Sequence, residues 1–304
     1  MKVALHGRKV SSESLPYAKT LLDTLKQRKA AIYVSSPFHK LLQSGGVDLS
    51  YCHVYDREQG MPEVDFMVSV GGDGTLLETV TYVRNTQIPI LGVNTGRLGF
   101  LATVSQDNIS EAIDAIYQNN FHYDYRSLIA LDSQTKLPDD LNFALNELTV
   151  IKQDTSAMIV VHTYIDGMFL NSYWSDGLII STPTGSTGYS LSCGGPVVSP
   201  HSNNFIITPV SPHNLTVRPL VVSENSVISL QVESRSKNFL LSLDSRSYTM
   251  STSCELTVRK SDFQVRLIKF HGNGFLDTLR QKLNWGLDVR NKFFGICITS
   301  NNAL

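Results

Sequence analysis

Short apolar runs and amphipathic stretches alternate along the first part of the chain. Apolar runs of strand length occur at residues 3–5, 32–34, 64–70 and 88–93. Between these runs, apolar side chains recur at helical spacing at residues 15–29, 39–43 and 76–84. Strands that alternate with helices predict an α/β domain with a Rossmann-like parallel sheet. Ligands of such sheets bind at the carboxyl ends of the strands.

Beyond a further helical pattern at residues 109–117, strand-like runs dominate the chain. They fall at residues 127–132, 144–152, 158–165, 205–208, 227–232, 239–243, 255–259 and 264–270. Asp166 and Gly167 separate two apolar runs and are typical of a two-residue hairpin turn. Many strands with few helices predict an all-β domain of the β-sandwich type.

Helical spacing returns at residues 275–292, near the end of the chain. We expect this terminal helix to dock on the first domain. The pattern as a whole predicts an α/β domain at residues 1–122, an all-β domain at residues 123–272 and a helical tail at residues 273–304.

A glycine-rich loop, Gly-Gly-Asp-Gly-Thr at residues 71–75, lies between a predicted strand and a predicted helix. This arrangement directs backbone N–H groups and the positive end of a helix towards an anion such as phosphate. The loop matches neither the P-loop nor the spaced glycines of dinucleotide folds. Its carboxylate, Asp73, is placed to accept a proton from a hydroxyl or to hold a phosphate-bound magnesium ion.

A second segment, residues 176–198, follows an apolar strand with a dense series of glycine, serine, threonine and proline residues. Glycine allows close approach of the backbone, and hydroxyl groups both donate and accept hydrogen bonds. Tyr189 lies among these small residues, which leaves its ring free to stack on a flat base. We interpret this segment as a binding site for a polar ligand.

The composition excludes several other classes of protein. There are 26 lysine and arginine residues against 27 acidic residues, so no positive excess indicates nucleic acid or a membrane surface as partner. The four cysteines and eight histidines have no metal-binding spacing. No signal peptide or long apolar segment is evident, and we expect a soluble cytoplasmic protein.

Five motifs occur in one order along the chain. They are Gly-Gly-Asp-Gly-Thr at 71–75, Asn-Thr-Gly-Arg-Leu-Gly-Phe-Leu at 94–101, Asn-Glu at 146–147, Asp-Gly to Gly-Gly-Pro at 176–196, and a group from Thr-Pro to Arg-Pro-Leu at 208–220. This set resembles the motifs of the NAD kinases, and the resemblance extends over residues 64–246. Diacylglycerol and sphingosine kinases carry an element similar to the first motif, but the long fourth motif is not expected in lipid kinases.

The resemblance implies transfer of a phosphoryl group from ATP, or in some members from polyphosphate, to the 2′-hydroxyl of the adenosine ribose of NAD, which gives NADP. Asp73 corresponds to the catalytic proton acceptor of the family. Gly71, Gly72, Gly74 and Thr75 correspond to the loop around the phosphates. The required Mg²⁺, or another divalent cation, is expected to arrive with ATP and not to be held by the protein alone.

The same resemblance implies a set of NAD-binding residues, with Asn146 and Glu147 at the ribose hydroxyls, Tyr189 against the adenine and Asp176 towards the nicotinamide. The full predicted set is Asp73, Gly74, Asn146, Glu147, Asp176, Thr187, Gly188, Tyr189, Ser190, Leu191, Ser192 and Arg246. Arg246 stands where many members have glutamine, and Gly188 stands where many have alanine.

The family further implies a homodimer or a homotetramer with NAD and ATP as small-molecule substrates. Two alternatives remain at this stage. One is a lipid or sugar kinase that shares the Gly-Gly-Asp-Gly-Thr loop, which would phosphorylate another hydroxyl without NAD. The other is a non-catalytic regulator that binds NAD or NADP, although a pure binder has no evident need for the carboxylate of Asp73.

Overall fold

The computed structural model describes residues 1–9, 11–96, 99–154, 157–272 and 274–285. In the α/β domain, strands and helices alternate as the sequence predicts. The elements are β1 (Lys2–Gly7), α1 (Leu15–Gln27), β2 (Ala31–Ser35), α2 (Ser36–Ser44), β3 (His53–Tyr55), β4 (Phe66–Val70), α3 (Asp73–Val83), β5 (Ile90–Asn94), β6 (Val104–Ser105) and α4 (Ile109–Tyr117).

The first five strands form a parallel sheet in the order β3-β2-β1-β4-β5, and β6 pairs with β5. Strand β4 lies between β1 and β5, with Val68 opposite both Leu5 and Leu91. Because β4 is buried along its whole length, it reads in the sequence as a continuous apolar run. Its carboxyl end therefore delivers the glycine-rich loop to the ligand edge of the sheet.

The rest of the described chain is rich in strands, as predicted. The elements are β7 (His122–Ser133), β8 (Phe143–Ala144), β9 (Glu147–Lys152), β10 (Ile159–Ile165), β11 (Met168–Ser175), β12 (Gly177–Ser181), α5 (Tyr189–Ser192), β13 (Asn204–Val210), β14 (Leu220–Ser223), β15 (Ile228–Glu233), β16 (Asn238–Leu243), β17 (Arg246–Ser251), β18 (Leu256–Lys269) and α6 (Phe275–Leu283).

Two sheets pack face to face in this second domain. One is a six-stranded antiparallel sheet in the order β14-β13-β12-β9-β16-β17. Its inward side chains, such as Val150 and Ile180, share a buried core with Val161 and Leu230 from the other sheet. This arrangement confirms the predicted sandwich, whose two layers are held together by apolar burial.

The second sheet of the sandwich is continuous with the parallel sheet of the α/β domain. Strand β18 pairs with β7 and β15 in the sandwich and, through Leu267 and Ile90, with β5. The sequence predicts two strands here, but the structure has one long strand with a register shift between Lys260 and Gln264. The charged residues near this irregularity explain why the apolar pattern is broken.

Helix α6 packs against the α/β domain, as predicted. The rings of Phe275 and Phe100 lie 6.2 Å apart, and Leu279 is buried. The predicted continuation of this helix to residue 292 lies outside the described residues. No helix in the described ranges is both long enough and apolar enough to cross a membrane.

Candidate active site

The Gly71–Thr75 loop joins the end of β4 to the first turn of α3. Gly71 has φ of 151°, and a side chain there would come within 2.3 Å of Thr75 Oγ1. Gly72 and Gly74 are exposed, and an added Cβ at either position would meet no atom of the described residues within 4 Å. The first N–H groups of a helix lack internal partners, so this open turn can bind an anion.

The carboxylate of Asp73 is held by three consecutive backbone N–H groups. Phe100 N–H donates to Oδ2 at 2.8 Å, while Leu101 and Ala102 N–H each donate to Oδ1 at 3.0 Å. A carboxylate has about four lone-pair positions. Three are occupied, and the remaining position on Oδ2 can accept a hydrogen bond from a hydroxyl.

Gly99 makes this arrangement possible. A Cβ at Gly99 would lie 1.9 Å from Asp73 Oδ1, which is far inside contact distance. Gly99 belongs to the second motif, but no role was predicted for it from the sequence. Its contact with Asp73 joins residues from two different loops, so periodicity and composition give no signal for it.

Lys269, at the end of β18, anchors the segment that holds Asp73. Its side chain is 9% exposed, and Nζ donates to Leu101 O at 3.0 Å and to Thr103 Oγ1 at 3.1 Å. Burial lowers the pKa of Lys269 to about 8, with a further contribution from Arg126 and an opposing one from Asp124. Lys269 is not among the site residues predicted from the sequence.

Arg126 links this cationic region to the hydroxyl-rich segment. It forms a buried bidentate ion pair with Asp124, at 2.6 and 2.8 Å, and its Nη1 donates to Thr184 Oγ1 at 3.1 Å. Arg126 and Lys269 line a common cleft of about 180 Å³ with Phe100. Through Lys269 and Arg126, this cleft therefore connects the loop around Asp73 with Thr184 of the hydroxyl-rich segment.

The Asn146–Glu147 pair lies against the hydroxyl-rich segment. Asn146 O accepts a hydrogen bond from Thr182 N–H at 2.8 Å, and an added Cβ at Gly188 would be 3.1 Å from Glu147 Oε2. Asn146 Oδ1 and Glu147 Oε2 are buried and have no hydrogen-bond partner in the described part of the chain. Buried polar atoms of this kind are costly unless a ligand or water satisfies them.

Burial raises the pKa of Glu147 to about 8, and the nearby charge of Asp244 raises it further in the same direction. Asp244 itself accepts hydrogen bonds from the N–H groups of Leu145, Asn146 and Glu147, at 2.8 to 3.2 Å. Asp244 is not among the site residues predicted from the sequence.

Tyr189 is 38% exposed at the start of α5, with its ring accessible for stacking. Asp176 pairs with Lys152 Nζ at 2.6 Å, and its charge reaches Tyr189. Ser190 is buried and shares a 2.8 Å hydrogen bond with Thr208, which directs it into the protein interior.

The other predicted residues of this segment differ in exposure. Thr187 Oγ1 donates to Thr184 O at 3.4 Å and is partly buried. Leu191 is also partly buried, whereas Ser192 is exposed. Tyr189 and Ser192 are thus the exposed residues of the stretch 187–192, and Gly188 is partly buried.

Arg246 makes its contacts with backbone carbonyl groups and an aromatic ring. Its guanidinium donates to Leu141 O at 2.7 Å and to Phe143 O, and it lies over the Phe143 ring. Burial lowers the pKa of Arg246. In this arrangement the side chain holds β8 and the β16–β17 hairpin together, and the ligand contact that the resemblance implies for Arg246 stays a prediction.

A two-domain fold with an anion-binding helix terminus, a held carboxylate and a hydroxyl-rich segment defines a nucleotide-dependent kinase. The family descriptions "ATP-NAD kinase N-terminal domain" and "ATP-NAD kinase C-terminal domain" match residues 3–121 and 145–270. The chain belongs to the NAD kinase family. This membership and the accompanying kinase activity replace the lipid or sugar kinase and regulator alternatives.

Among the relatives, an NAD kinase from Cytophaga hutchinsonii is 48% identical over 96% of this chain and 100% of its own length. An NAD kinase from Bacteroides fragilis is 43% identical over 95% and 100% of the two chains. The crystal structure of an NAD kinase from Archaeoglobus fulgidus in complex with ATP has a TM-score of 0.70 at 27% identity, and covers 93% of this chain and 99% of that one. Yeast NADH kinase complexed with NADH shares the fold, with a TM-score of 0.84 at 22% identity over 95% and 89% of the chains.

Proposed function

We propose that the protein transfers the terminal phosphoryl group of ATP to the 2′-hydroxyl of the adenosine ribose of NAD. The observation that carries this assignment is the carboxylate of Asp73, which is fixed by three N–H groups beside an open anion-binding turn. Such transfer passes through a loose transition state and depends mainly on alignment and charge stabilisation. Asp73 supplies the acceptor for the hydroxyl proton.

The phosphates of ATP are assigned to the loop of Gly71, Gly72, Gly74 and Thr75. Exposure of Gly72 and Gly74 supports close approach of phosphate oxygens to the backbone. Within the described ranges, no group of three or more His, Cys, Asp or Glu side chains could hold a metal ion. We assign the divalent cation to the phosphates, where it would neutralise their charge during transfer.

The adenosine part of NAD is assigned to the region formed by Asn146, Glu147, Gly188 and Tyr189. The two partnerless oxygens, Asn146 Oδ1 and Glu147 Oε2, support contacts with ribose hydroxyls. Homo-oligomerisation and a cytoplasmic location stay predictions from the sequence.

The direct test is an assay of purified protein with NAD, ATP and Mg²⁺, in which NADP is detected by an NADP-dependent dehydrogenase. NADP formation is expected. Failure to form product with ATP or polyphosphate, and with both NAD and NADH, would overturn the assignment.

Tyr189→Ala is expected to weaken NAD binding with little change in kcat at saturation. Stacking of a base on an aromatic ring contributes ~1–3 kcal/mol, which corresponds to an increase in the KM for NAD of about 5- to 150-fold. Steady-state kinetics at varied NAD concentration measure the change. Tyr125, which is 47% exposed on β7, provides the control Tyr125→Ala. An unchanged KM for NAD in Tyr189→Ala would exclude stacking.

Lys269→Met keeps the length of the side chain but removes the donors to Leu101 O and Thr103 Oγ1. An unsatisfied buried acceptor costs ~1–3 kcal/mol. We expect kcat to fall about tenfold, because the segment that orients Asp73 loosens, with a smaller change in the KM for NAD. Lys136→Met, at a lysine that is 80% exposed, is the control. Unaltered kcat would show that Lys269 does not orient the loop.

A further inference from the structure

Asp244 occupies a special position in the turn between β16 and β17. It is partly buried and has φ of 54°, a conformation that non-glycine residues seldom adopt. Its carboxylate accepts the N–H groups of Leu145, Asn146 and Glu147, and its own N–H donates to Glu147 O at 3.0 Å. One side chain thereby fixes the backbone of both residues assigned to the ribose.

The surroundings of the Glu147 carboxyl group differ from those of the hydrogen-bonded Asp244 carboxylate. Its Oε2 is buried without a partner, close to Gly188. No ion pair of Glu147 with a lysine, arginine or histidine is present among the described residues. The nearby Arg246 is directed to the carbonyl groups of Leu141 and Phe143 instead.

Two neighbouring carboxyl groups that are shielded from water do not both ionise readily, because each charge disfavours the other. Hydrogen bonds from N–H groups favour the charged form, and Asp244 receives three of them. Burial raises the pKa of Asp244, while these N–H groups and Arg246 oppose that effect. Within the described ranges Glu147 Oε2 receives no such donor, so the proton resides on Glu147.

We propose that Asp244 is a positioning residue that holds Glu147 in place as a protonated acid, which donates a hydrogen bond to the bound dinucleotide. This inference rests on the proposed function. A neutral carboxyl next to Asn146 Oδ1 offers one donor and one acceptor, a combination that suits a ribose hydroxyl and its neighbouring oxygen.

Three other titratable groups must be distinguished from Glu147 by their pKa values: Tyr189, Cys193 and Lys269. Tyr189 and Cys193 follow Gly188 on the adjacent segment, and burial raises the pKa of both, which keeps them neutral. Lys269 lies with Arg126 and has a pKa lowered by burial to about 8, so it titrates in the same range as Glu147. A variant at Glu147 is therefore needed to separate the two contributions.

Calorimetric binding of NAD without ATP, between about pH 6 and pH 9.5, tests the proposal. For the wild-type protein, affinity should be constant up to about pH 8 and then fall about tenfold per pH unit as Glu147 loses its proton. In Glu147→Gln, which has a permanently neutral amide, this fall in NAD affinity should disappear. Any fall that persists in Glu147→Gln belongs to another group such as Lys269.

Asp244→Asn removes the negative charge while nearly preserving the shape of the side chain. Loss of that charge should move the midpoint of the Glu147 titration to lower pH, and the KM for NAD should rise more than kcat falls. A purely structural role of Asp244 would leave the midpoint unchanged. Wild-type affinity that rises with pH, or an unmoved midpoint in Asp244→Asn, would overturn the proposal.

Unfolding of the protein without NAD gives a second readout that is independent of the proposed function. The pKa of Glu147 in the folded protein, about 8, lies above its ordinary value of 4.5. The unfolded chain therefore loses this proton first, so folding stability declines as pH rises towards about 8 and then levels off. The difference in thermal stability between the wild-type protein and Glu147→Gln should follow this course as pH rises.

The two measurements separate the possible failures. A constant difference in stability between wild type and Glu147→Gln would contradict protonation of Glu147 itself. The expected stability profile combined with pH-independent NAD binding would instead contradict the hydrogen bond to the dinucleotide. If Asp244→Asn does not fold, the comparison of wild type with Glu147→Gln still decides whether Glu147 carries the proton.

Discussion

Asp73→Asn should lower kcat by ~10²- to 10⁴-fold, the usual contribution of general-base catalysis. The asparagine oxygen can still accept N–H groups from Leu101 and Ala102. Its amide group then faces the N–H of Phe100, where two donors oppose each other, and the free lone pair for the ribose hydroxyl is lost. The KM for NAD should change little, because Asp73 contributes mainly in the transition state.

Initial rates of NADP formation at saturating NAD and ATP measure this effect, and circular dichroism shows whether the fold persists. Asp107 is exposed and lies 34 positions after Asp73 in the sequence, outside the predicted motifs. Asp107→Asn makes the same chemical change there and should retain the wild-type rate. Wild-type kcat in Asp73→Asn would rule out Asp73 as the proton acceptor.

Gly99→Ala should lower kcat almost as much as Asp73→Asn, although Gly99 has no side chain that could take part in the reaction. The added methyl group would fall 1.9 Å from Asp73 Oδ1, so the carboxylate or the segment that binds it must move. Displacement of a reacting group by about 1 Å can lower the rate ~10²-fold. We therefore expect kcat to fall by about that factor, with a smaller change in the KM for NAD.

Gly96→Ala is the matched variant in the same loop. Among the residues that the structure describes, a Cβ at Gly96 would meet Asn94 Oδ1 alone, at 4.0 Å, and would not touch Asp73. It should lose far less activity than Gly99→Ala. Equal losses in the two variants would indicate a general sensitivity of the loop and not the displacement of Asp73.

Part of the fold could be predicted because it depends on local patterns. Strand β4 is buried on both faces and reads as an apolar run, while α1 and α4 follow helical spacing. The short edge strand β3 has two exposed residues out of three and gives no clear apolar signal. Strand β18 was predicted as two strands, because its irregularity carries polar residues.

Of the candidate site, only the sequence motifs could be predicted. The glycine-rich loop and the hydroxyl-rich segment are visible as sequences because their composition is unusual. Gly99, Lys269 and Asp244 act through contacts with residues 26 or more positions away, such as Gly99 with Asp73 and Lys269 with Leu101. Such contacts depend on the tertiary fold, and a single sequence does not record them.

By itself, then, the sequence determined the two kinds of domain, the family and the carboxylate within the first glycine loop. These properties follow from the local alternation of apolar and polar residues and from motifs of contiguous residues. The tertiary structure decided which backbone groups hold Asp73 and Asp244, and it directed Arg246 towards Leu141 and Phe143. It alone decides these features because the orientation and burial of a charged side chain depend on chain segments that meet only after folding.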